Sequence, residues 1–303
     1  MPDDGRSGFA AQPARLFVLM PKLLLTGADG FTGQHFTKAA QYAGYKVYPL
    51  AVDLTNAEAM ETGVAAIAPD FVVHLAAISA VTHADEEAFY RVNLFGTLNL
   101  LKALVALPEA PRLVLLASSA NVYGNANKSP IDESTCPAPI NHYAMSKLAM
   151  EFMSATFADR LSLLTVRPFN YTGVGHDARF VIPKLIEHFK RRAVSVELGN
   201  LDVEREFNDV RTVCEAYLRL LQVGKPGQTY NVCSGRPISL NSVIDALKCI
   251  TDHDLHVNVN PDFVRANDIH RLCGNPAKLE ACVGQLQQYS LEDTLRWMLS
   301  AST

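Results

Sequence analysis

The apolar positions of this chain fall into two alternating rhythms. Short continuous apolar runs occur at 22–26, 46–50, 71–75, 112–118 and 161–166, and between them lie stretches with apolar residues at helical spacing, starting near Phe31, Thr55, Glu86 and Asn141. Strands without inside–outside alternation are those covered on both faces, which is how a parallel sheet with crossover helices reads. The pattern predicts an α/β fold, a doubly wound parallel sheet over the first half of the chain. After Arg167-Pro168 the rhythm breaks into loops and separate helices at 180–192 and 240–251, which predicts a smaller C-terminal lobe. The expected division is a tail at 1–19, a sheet domain at 20–167 with returning segments near 207–233, and a lobe made of 168–206 and 234–303. Met1 to Ala14 is polar and contains Gly and Pro, and a buried strand begins abruptly just after Met20. The run Leu16 to Met20 is too short to span a membrane, and no small-residue cleavage site follows it.

Composition narrows the class. With 49% hydrophobic residues in 303, the chain can bury a full core. A net charge of −4 with scattered basic residues argues against nucleic-acid binding. The single short basic cluster, Lys190-Arg191-Arg192, meets a phosphate or ends a solvated helix. The six cysteines show no CxxC and no metal-ligand spacing. The expectation is a reduced, cytoplasmic protein without a bound metal or a membrane partner.

The first loop, Thr26-Gly-Ala-Asp-Gly-Phe-Thr-Gly33, places three glycines between a buried strand and a helix. Glycines there let backbone N–H groups and the helix N-terminus approach a pyrophosphate, although a tight βα turn alone would use them too. Asp53 lies roughly 20 residues further on, where a carboxylate meets the adenosine half of a dinucleotide, caps the following helix, or does both. Leu50 and Ala51, at the end of the second strand, are neither acidic nor basic, which leaves NADH against NADPH open.

Tyr143-Ala-Met-Ser-Lys147 carries the most specific chemistry. Four residues on a helix make just over one turn, so phenol and ammonium emerge on one face. A nearby cation favours phenolate; reaching neutrality takes roughly 3 pKa units, about 4 kcal/mol, shared between the lysine and an oxidised nicotinamide. Such a tyrosine passes a proton to or from an alcohol oxygen while hydride moves at the adjacent carbon. Tyr42 and Lys46 share the spacing, but Gly44 between them reads as a helix stop, so they are not expected to share a face. Asn141 reads as the N-cap of the Tyr143 helix.

These segments, together with His74-Leu-Ala-Ala77, Asn93-Leu-Phe-Gly-Thr97, Ser118-Ser-Ala-Asn-Val-Tyr-Gly124, Arg167-Pro-Phe-Asn170, Arg205-Glu-Phe-Asn-Asp-Val210, Tyr230-Asn-Val-Cys-Ser-Gly235 and Arg265-Ala-Asn-Asp268, resemble the extended short-chain dehydrogenase/reductases that act on nucleotide sugars. The resemblance spans residues 21–285 and implies catalytic roles for Ser119, Tyr143 and Lys147. It implies dinucleotide contacts from Gly27, Gly30, Phe31, Thr32, Gly33, Asp53, Leu54, Leu75, Ala76, Ala77 and Asn93, joined by Tyr143 and Lys147. Ser79, Asn170, Arg205, Arg265 and Asp268 are implied to hold substrate, the arginines through the diphosphate, although each arginine also suits a surface ion pair.

Ala120 and Asn121 stand where related 4,6-dehydratases carry an acid and a base. Asn121 and Phe180 stand where 3,5-epimerase/reductases carry a cysteine and a histidine. The remaining set suits hydride transfer alone. The subfamily most resembled is the GDP-4-keto-6-deoxy-D-mannose reductases, which implies NADH or NADPH as cofactor and GDP-D-rhamnose or its C4 epimer as product. A sugar-nucleotide 4-epimerase with tightly held NAD is the alternative, and a non-catalytic dinucleotide-binding regulator a third. The resemblance also implies a homodimer formed through the helices near 86–107 and 141–157, with Leu98 and Met153 facing outward.

Overall fold

The computed structural model describes residues 20–79, 84–263 and 269–301. The first half alternates as anticipated: β1 Lys22–Thr26, α1 Phe31–Tyr42, β2 Lys46–Leu50, α2 Ala57–Ile67, β3 Phe71–His74, α3 Glu86–Phe89, α4 Thr97–Val105, β4 Leu113–Ala117, α5 His142–Ala155 and β5 Leu163–Pro168. The rest comprises β6 Tyr171–Thr172, α6 Val181–Lys190, β7 Ser195–Leu198, β8 Glu204–Arg205, β9 Asn208–Asp209, α7 Val210–Val223, β10 Thr229–Val232, β11 Ile238–Ser239, α8 Leu240–Thr251, β12 His256–Val259, β13 Arg271–Leu272, α9 Ala277–Val283 and α10 Leu291–Ser300.

Six strands form one parallel sheet in the order β10-β5-β4-β3-β1-β2. Successive residues of a strand point to opposite faces, and here both faces are covered. Leu23, Leu25, Val73 and Leu115 pack against α1 and α7 through Phe36, Val213, Tyr217 and Leu220. Leu24, Val72, Val114 and Leu116 pack against α2, α4 and α5 through Met60, Val64, Leu100, Leu104 and Met150. Two complete cores explain why the middles of β1, β3 and β4 are apolar at every position. Each fully buried aliphatic side chain is worth about 1.5–3 kcal/mol. A third apolar cluster joins α6, α8 and α10 around Ile186, Leu247 and Leu295.

The chain runs β1 to β2 on one side and then crosses over β1 to β3, so the direction of winding reverses between β1 and β3. In open α/β sheets ligands bind at the strand carboxyl ends beside such a reversal. Thr26-Gly27 and His74-Leu75 stand there.

Two local expectations differ in detail. The helix from Glu86 is not continuous. Residues Tyr90–Gly96 form a wider π-helical turn between α3 and α4, and Thr97 Oγ1 donates to the Asn93 carbonyl at 2.7 Å. The turn seats Gly96 against Leu54, where an added Cβ would fall 2.6 Å from the leucine Cβ. The cap of α2 is Asn56, which accepts from the Ala59 N–H, whereas Asp53 closes its own turn on Thr55. The Tyr42–Lys46 pair separates as expected, with Tyr42 ending α1 at 97% exposure, Gly44 at φ +88° and Lys46 opening β2.

Candidate active site

Ser119 follows β4 and caps a short 3₁₀ turn, Ala120–Tyr123, accepting from the Asn121 N–H at 3.2 Å. Asn141 caps α5 as expected, accepting from the Ala144 N–H at 2.8 Å. This cap starts the helix one residue before Tyr143, so Tyr143 and Lys147 both turn under the sheet's carboxyl edge. Tyr143 is 8% exposed and Lys147 3%. Lys147 Nζ donates to the Ala117 carbonyl at 2.8 Å, and Tyr143 hydrogen-bonds Ser119. Three residues far apart in the chain thus meet around the end of β4.

Burial lowers the Lys147 ammonium to about 8, with the Glu151 carboxylate one turn along acting to raise it. Burial pushes the Tyr143 phenol above its ordinary value, and the Ser119 hydrogen bond only partly offsets that. The lysine by itself does not lower the phenol: its ammonium is directed at the Ala117 carbonyl, and desolvation dominates at Tyr143. At neutral pH Tyr143 carries its proton.

Around these residues lies a cleft of about 900 Å³. Gly27, Gly30, Phe31, Thr32, Gly33, Leu75, Ala76, Ala77, Ser79, Asn170 and Arg205 line it together with Ser119, Tyr143 and Lys147. Gly27 adopts φ +69°, and a Cβ there would sit 2.8 Å from the Ala76 nitrogen; one on Gly33 would sit 2.0 Å from the Gly27 carbonyl oxygen. The loop thus closes on itself and on the end of β3 so tightly that only glycine fits. No side chain caps α1 at Gly30, so its first N–H groups remain for an anion. This cradle fits the pyrophosphate of a dinucleotide.

The structure does not bring every expected contact to the cleft. Asp53 is exposed, bonded to Thr55 and ionised more readily for it. Leu54 is buried in the core beneath Gly96. Asn93 is buried behind the loop, accepting from the Ile78 N–H at 2.9 Å and donating to the Ile78 carbonyl and to Ser146 Oγ, each at 3.1 Å. Arg205 lines the cleft with Nη1 on the carbonyls of Glu204 and His270, at 3.0 and 3.1 Å. Asn170 presents its carbonyl to the Asn208 N–H at 3.0 Å. Arg265 and Asp268 lie outside the described residues.

Sequence reasoning missed an aromatic column across the cleft. Phe31, on the phosphate loop, stacks on His176 at 4.3 Å, and His176 stacks on Phe180 at 4.4 Å. Thr32 Oγ1 and Tyr171 Oη lie 2.8 Å apart alongside. Burial lowers His176 to about 4, so the middle ring is neutral. Also missed was the buried ion pair of Glu151 with Arg167. The Arg167-Pro motif was visible, but its partner belongs to another helix. Among the described residues no group of His, Cys, Asp and Glu could hold a metal ion, and no helix is long and apolar enough to cross a membrane.

Comparison with known proteins agrees with this geometry. A family model described as GDP-mannose 4,6 dehydratase matches residues 49–298. The GDP-6-deoxy-D-talose 4-dehydrogenase of Aggregatibacter actinomycetemcomitans is 35% identical over 87% of this chain and 91% of its own. The GDP-6-deoxy-D-mannose reductase of Pseudomonas aeruginosa is 34% identical over 92% and 96%. Among solved structures, RMD from Pseudomonas aeruginosa complexed with NADPH superposes with a TM-score of 0.85 at 33% identity, covering 93% of this chain and 97% of that one. A Burkholderia cenocepacia J2315 protein provisionally called an epimerase gives 0.87 at 44% identity, covering 92% and 97%. With a family model matching residues 49–298 and two relatives more than 30% identical over most of its length, the chain belongs to the GDP-mannose 4,6 dehydratase family of short-chain dehydrogenase-like nucleotide-sugar enzymes.

Proposed function

We propose that the protein reduces the C4 ketone of a GDP-linked 4-keto-6-deoxyhexose, using NADH or NADPH, to GDP-D-rhamnose or its C4 epimer. The observation that carries this reading is a Ser119, Tyr143, Lys147 cluster flanked by Ala120 and Asn121, neither of which can act as the acid or base of a dehydration. The family's name describes elimination chemistry, and the two positions after Ser119 carry neither an acid nor a base for it. The names of the two curated relatives, a 4-dehydrogenase and a reductase of GDP-6-deoxyhexoses, support the same substrate class.

Gly27, Gly30, Phe31, Thr32, Gly33 and Leu75 to Ala77 would hold the dinucleotide, which supplies hydride to the ketone carbon when bound. Ser119 and Tyr143 hydrogen-bond the ketone oxygen. Tyr143, kept protonated by burial, donates its proton to that oxygen as the carbon is reduced, and the Lys147 ammonium stabilises the phenolate that results. Asn170 and Arg205 line the substrate side of the cleft and are assigned to the sugar nucleotide.

Incubating the protein with 4-keto-6-deoxy sugar nucleotides and each reduced cofactor, then identifying the product by NMR, tests the reading. Cofactor should be consumed in proportion to ketosugar. Tyr143→Phe should lower turnover at least about 100-fold; activity within a few-fold of wild type would overturn the assignment. The name given to the 44% identical Burkholderia protein, an epimerase, supports NAD-dependent epimerisation, at C4 in our reading, as the second function. It predicts instead that the protein purifies with spectroscopically visible NAD and consumes none.

We also propose a homodimer. Leu98 and Met153, the expected outward contacts, are half-buried against the core. Phe95, Met145 and Phe152 are the exposed apolar side chains of this region, Phe152 at 69%.

A further inference from the structure

His74 is not assigned to the chemistry, and its surroundings single it out. It ends β3 at the reversal of the sheet, is 1% exposed, and uses both ring nitrogens. The donors in its chain are fixed by their neighbours. Thr97 Oγ1 gives its proton to the Asn93 carbonyl at 2.7 Å, so it can only accept from His74 Nε2–H, 2.8 Å away. Thr26 Oγ1 accepts from the Ala76 N–H at 3.2 Å and gives its proton to His74 Nδ1 at 2.7 Å. Nε2 therefore carries a hydrogen, and in the neutral ring Nδ1 is the acceptor of the Thr26 hydroxyl. Burial and the nearby Lys147 charge keep it unprotonated down to about pH 3.

The two ends of this relay are the two halves of the site. At one end Ala76 lies in the loop that meets the phosphate cradle, its nitrogen 2.8 Å from where a Gly27 Cβ would be. At the other, Asn93 clamps Ile78 through both N–H and carbonyl and donates to Ser146 Oγ, which donates to the Tyr143 carbonyl at 2.8 Å.

We propose that His74 is a positioning residue: through Thr26 it sets the Ala76 backbone of the dinucleotide loop, and through Thr97 and Asn93 it ties that loop to the helix bearing Tyr143 and Lys147. A protonated ring would take away the Nδ1 acceptor of the Thr26 hydroxyl hydrogen, and an apolar ring would leave both threonine hydroxyls short of a partner in the core. The inference deepens the proposed function and rests on that cleft holding a nicotinamide dinucleotide.

Asparagine reproduces the Nδ1 side of histidine and glutamine the Nε2 side, which lets the two ties be cut separately. Dissociation constants for NADH and NADPH would be measured calorimetrically on wild type, His74→Asn, His74→Gln and Thr26→Val, with kcat and KM for the ketosugar alongside. His74→Asn should keep dinucleotide affinity within about 3-fold. Thr26→Val, which removes the acceptor of the Ala76 N–H, and His74→Gln, which removes the ring nitrogen that orients that hydroxyl, should each weaken it about 10-fold, the size of one well-placed hydrogen bond. KM for the sugar should change less. Folded His74→Gln and Thr26→Val proteins that bind dinucleotide as wild type would overturn the positioning role. If a variant does not fold, ¹⁵N NMR of the wild-type protein decides: a neutral His74 with its proton on Nε2 supports the relay, while the opposite tautomer or an imidazolium at neutral pH overturns it. Failure of the wild-type protein to bind any nicotinamide dinucleotide would defeat the functional reading instead, and the tautomer result would stand apart from it.

Discussion

Glu151→Gln removes a negative charge one helical turn beyond Lys147 and strips Arg167 of its carboxylate. Arg167 Nε and Nη2 reach Glu151 at 3.0 and 2.5 Å, with neither side chain more than a tenth exposed, and Nη1 donates to the Tyr123 hydroxyl at 2.9 Å. Side chains at i and i+4 lie about 6 Å apart, and at an effective dielectric near 20 the attraction of carboxylate for ammonium is about 3 kcal/mol, roughly two pKa units. Arg167 neutralises part of that field, which leaves about one unit. Lys147, held at about 8 in the native protein by burial against Glu151, then loses its proton about one unit lower. Because the ammonium stabilises the phenolate, the basic limb of kcat/KM for ketosugar reduction should move down by the same amount. The substitution should also lower unfolding free energy by about 3–5 kcal/mol, since Arg167 stays buried with its partner gone. Rates measured from about pH 6 to about pH 9.5, with urea melts of the same samples, separate the two effects. A folded Glu151→Gln protein whose basic limb stays at the wild-type position would refute the electrostatic link between Glu151, Lys147 and Tyr143.

Three further outcomes are expected. Gly33→Ala, with its Cβ forced to 2.0 Å from the Gly27 carbonyl oxygen, should abolish detectable dinucleotide binding; binding unchanged by calorimetry would mean the loop is not the cradle. Folding buries His74 and His176 neutral, at about 3 and about 4 against 6.5. Their stabilising share is therefore present above pH 6.5 and lost as pH falls, and at pH 5 each should have lost about 2 kcal/mol; equal urea midpoints at pH 7 and 5 would contradict this. Phe152→Glu, on an exposed position, should convert a dimer to a monomer in dilute-solution mass measurement with little change in melting temperature, and a dimer persisting unchanged would move the interface elsewhere.

Much of the site was legible because its chemistry is local. The spacing of Tyr143 and Lys147 places both on one helical face, and the glycine loop lies between a strand and a helix that hydrophobic pattern alone locates. Gly44 and Lys46 likewise separated the false pair from the real one. Asp53 and Leu54 were less legible, because a position along the chain does not say whether a side chain meets a ligand, its own turn or the core. The same holds for Asn93, whose amide meets Ile78 and Ser146 from within the π-helical turn.

The amino-acid order by itself determined the layered α/β architecture, the glycine loop and the placing of Tyr143 and Lys147 on one helical face, since strand burial, glycine conformation and helical periodicity act over a few residues. Only the tertiary structure decided that Tyr143 rests protonated, that Lys147 points to the Ala117 carbonyl with Glu151 and Arg167 behind it, and that a neutral His74 joins β1, β3 and α4 through Thr26 and Thr97. Those are outcomes of desolvation and of hydrogen bonds between side chains distant in the chain, and such terms exist only once the sheet has brought the strand ends together.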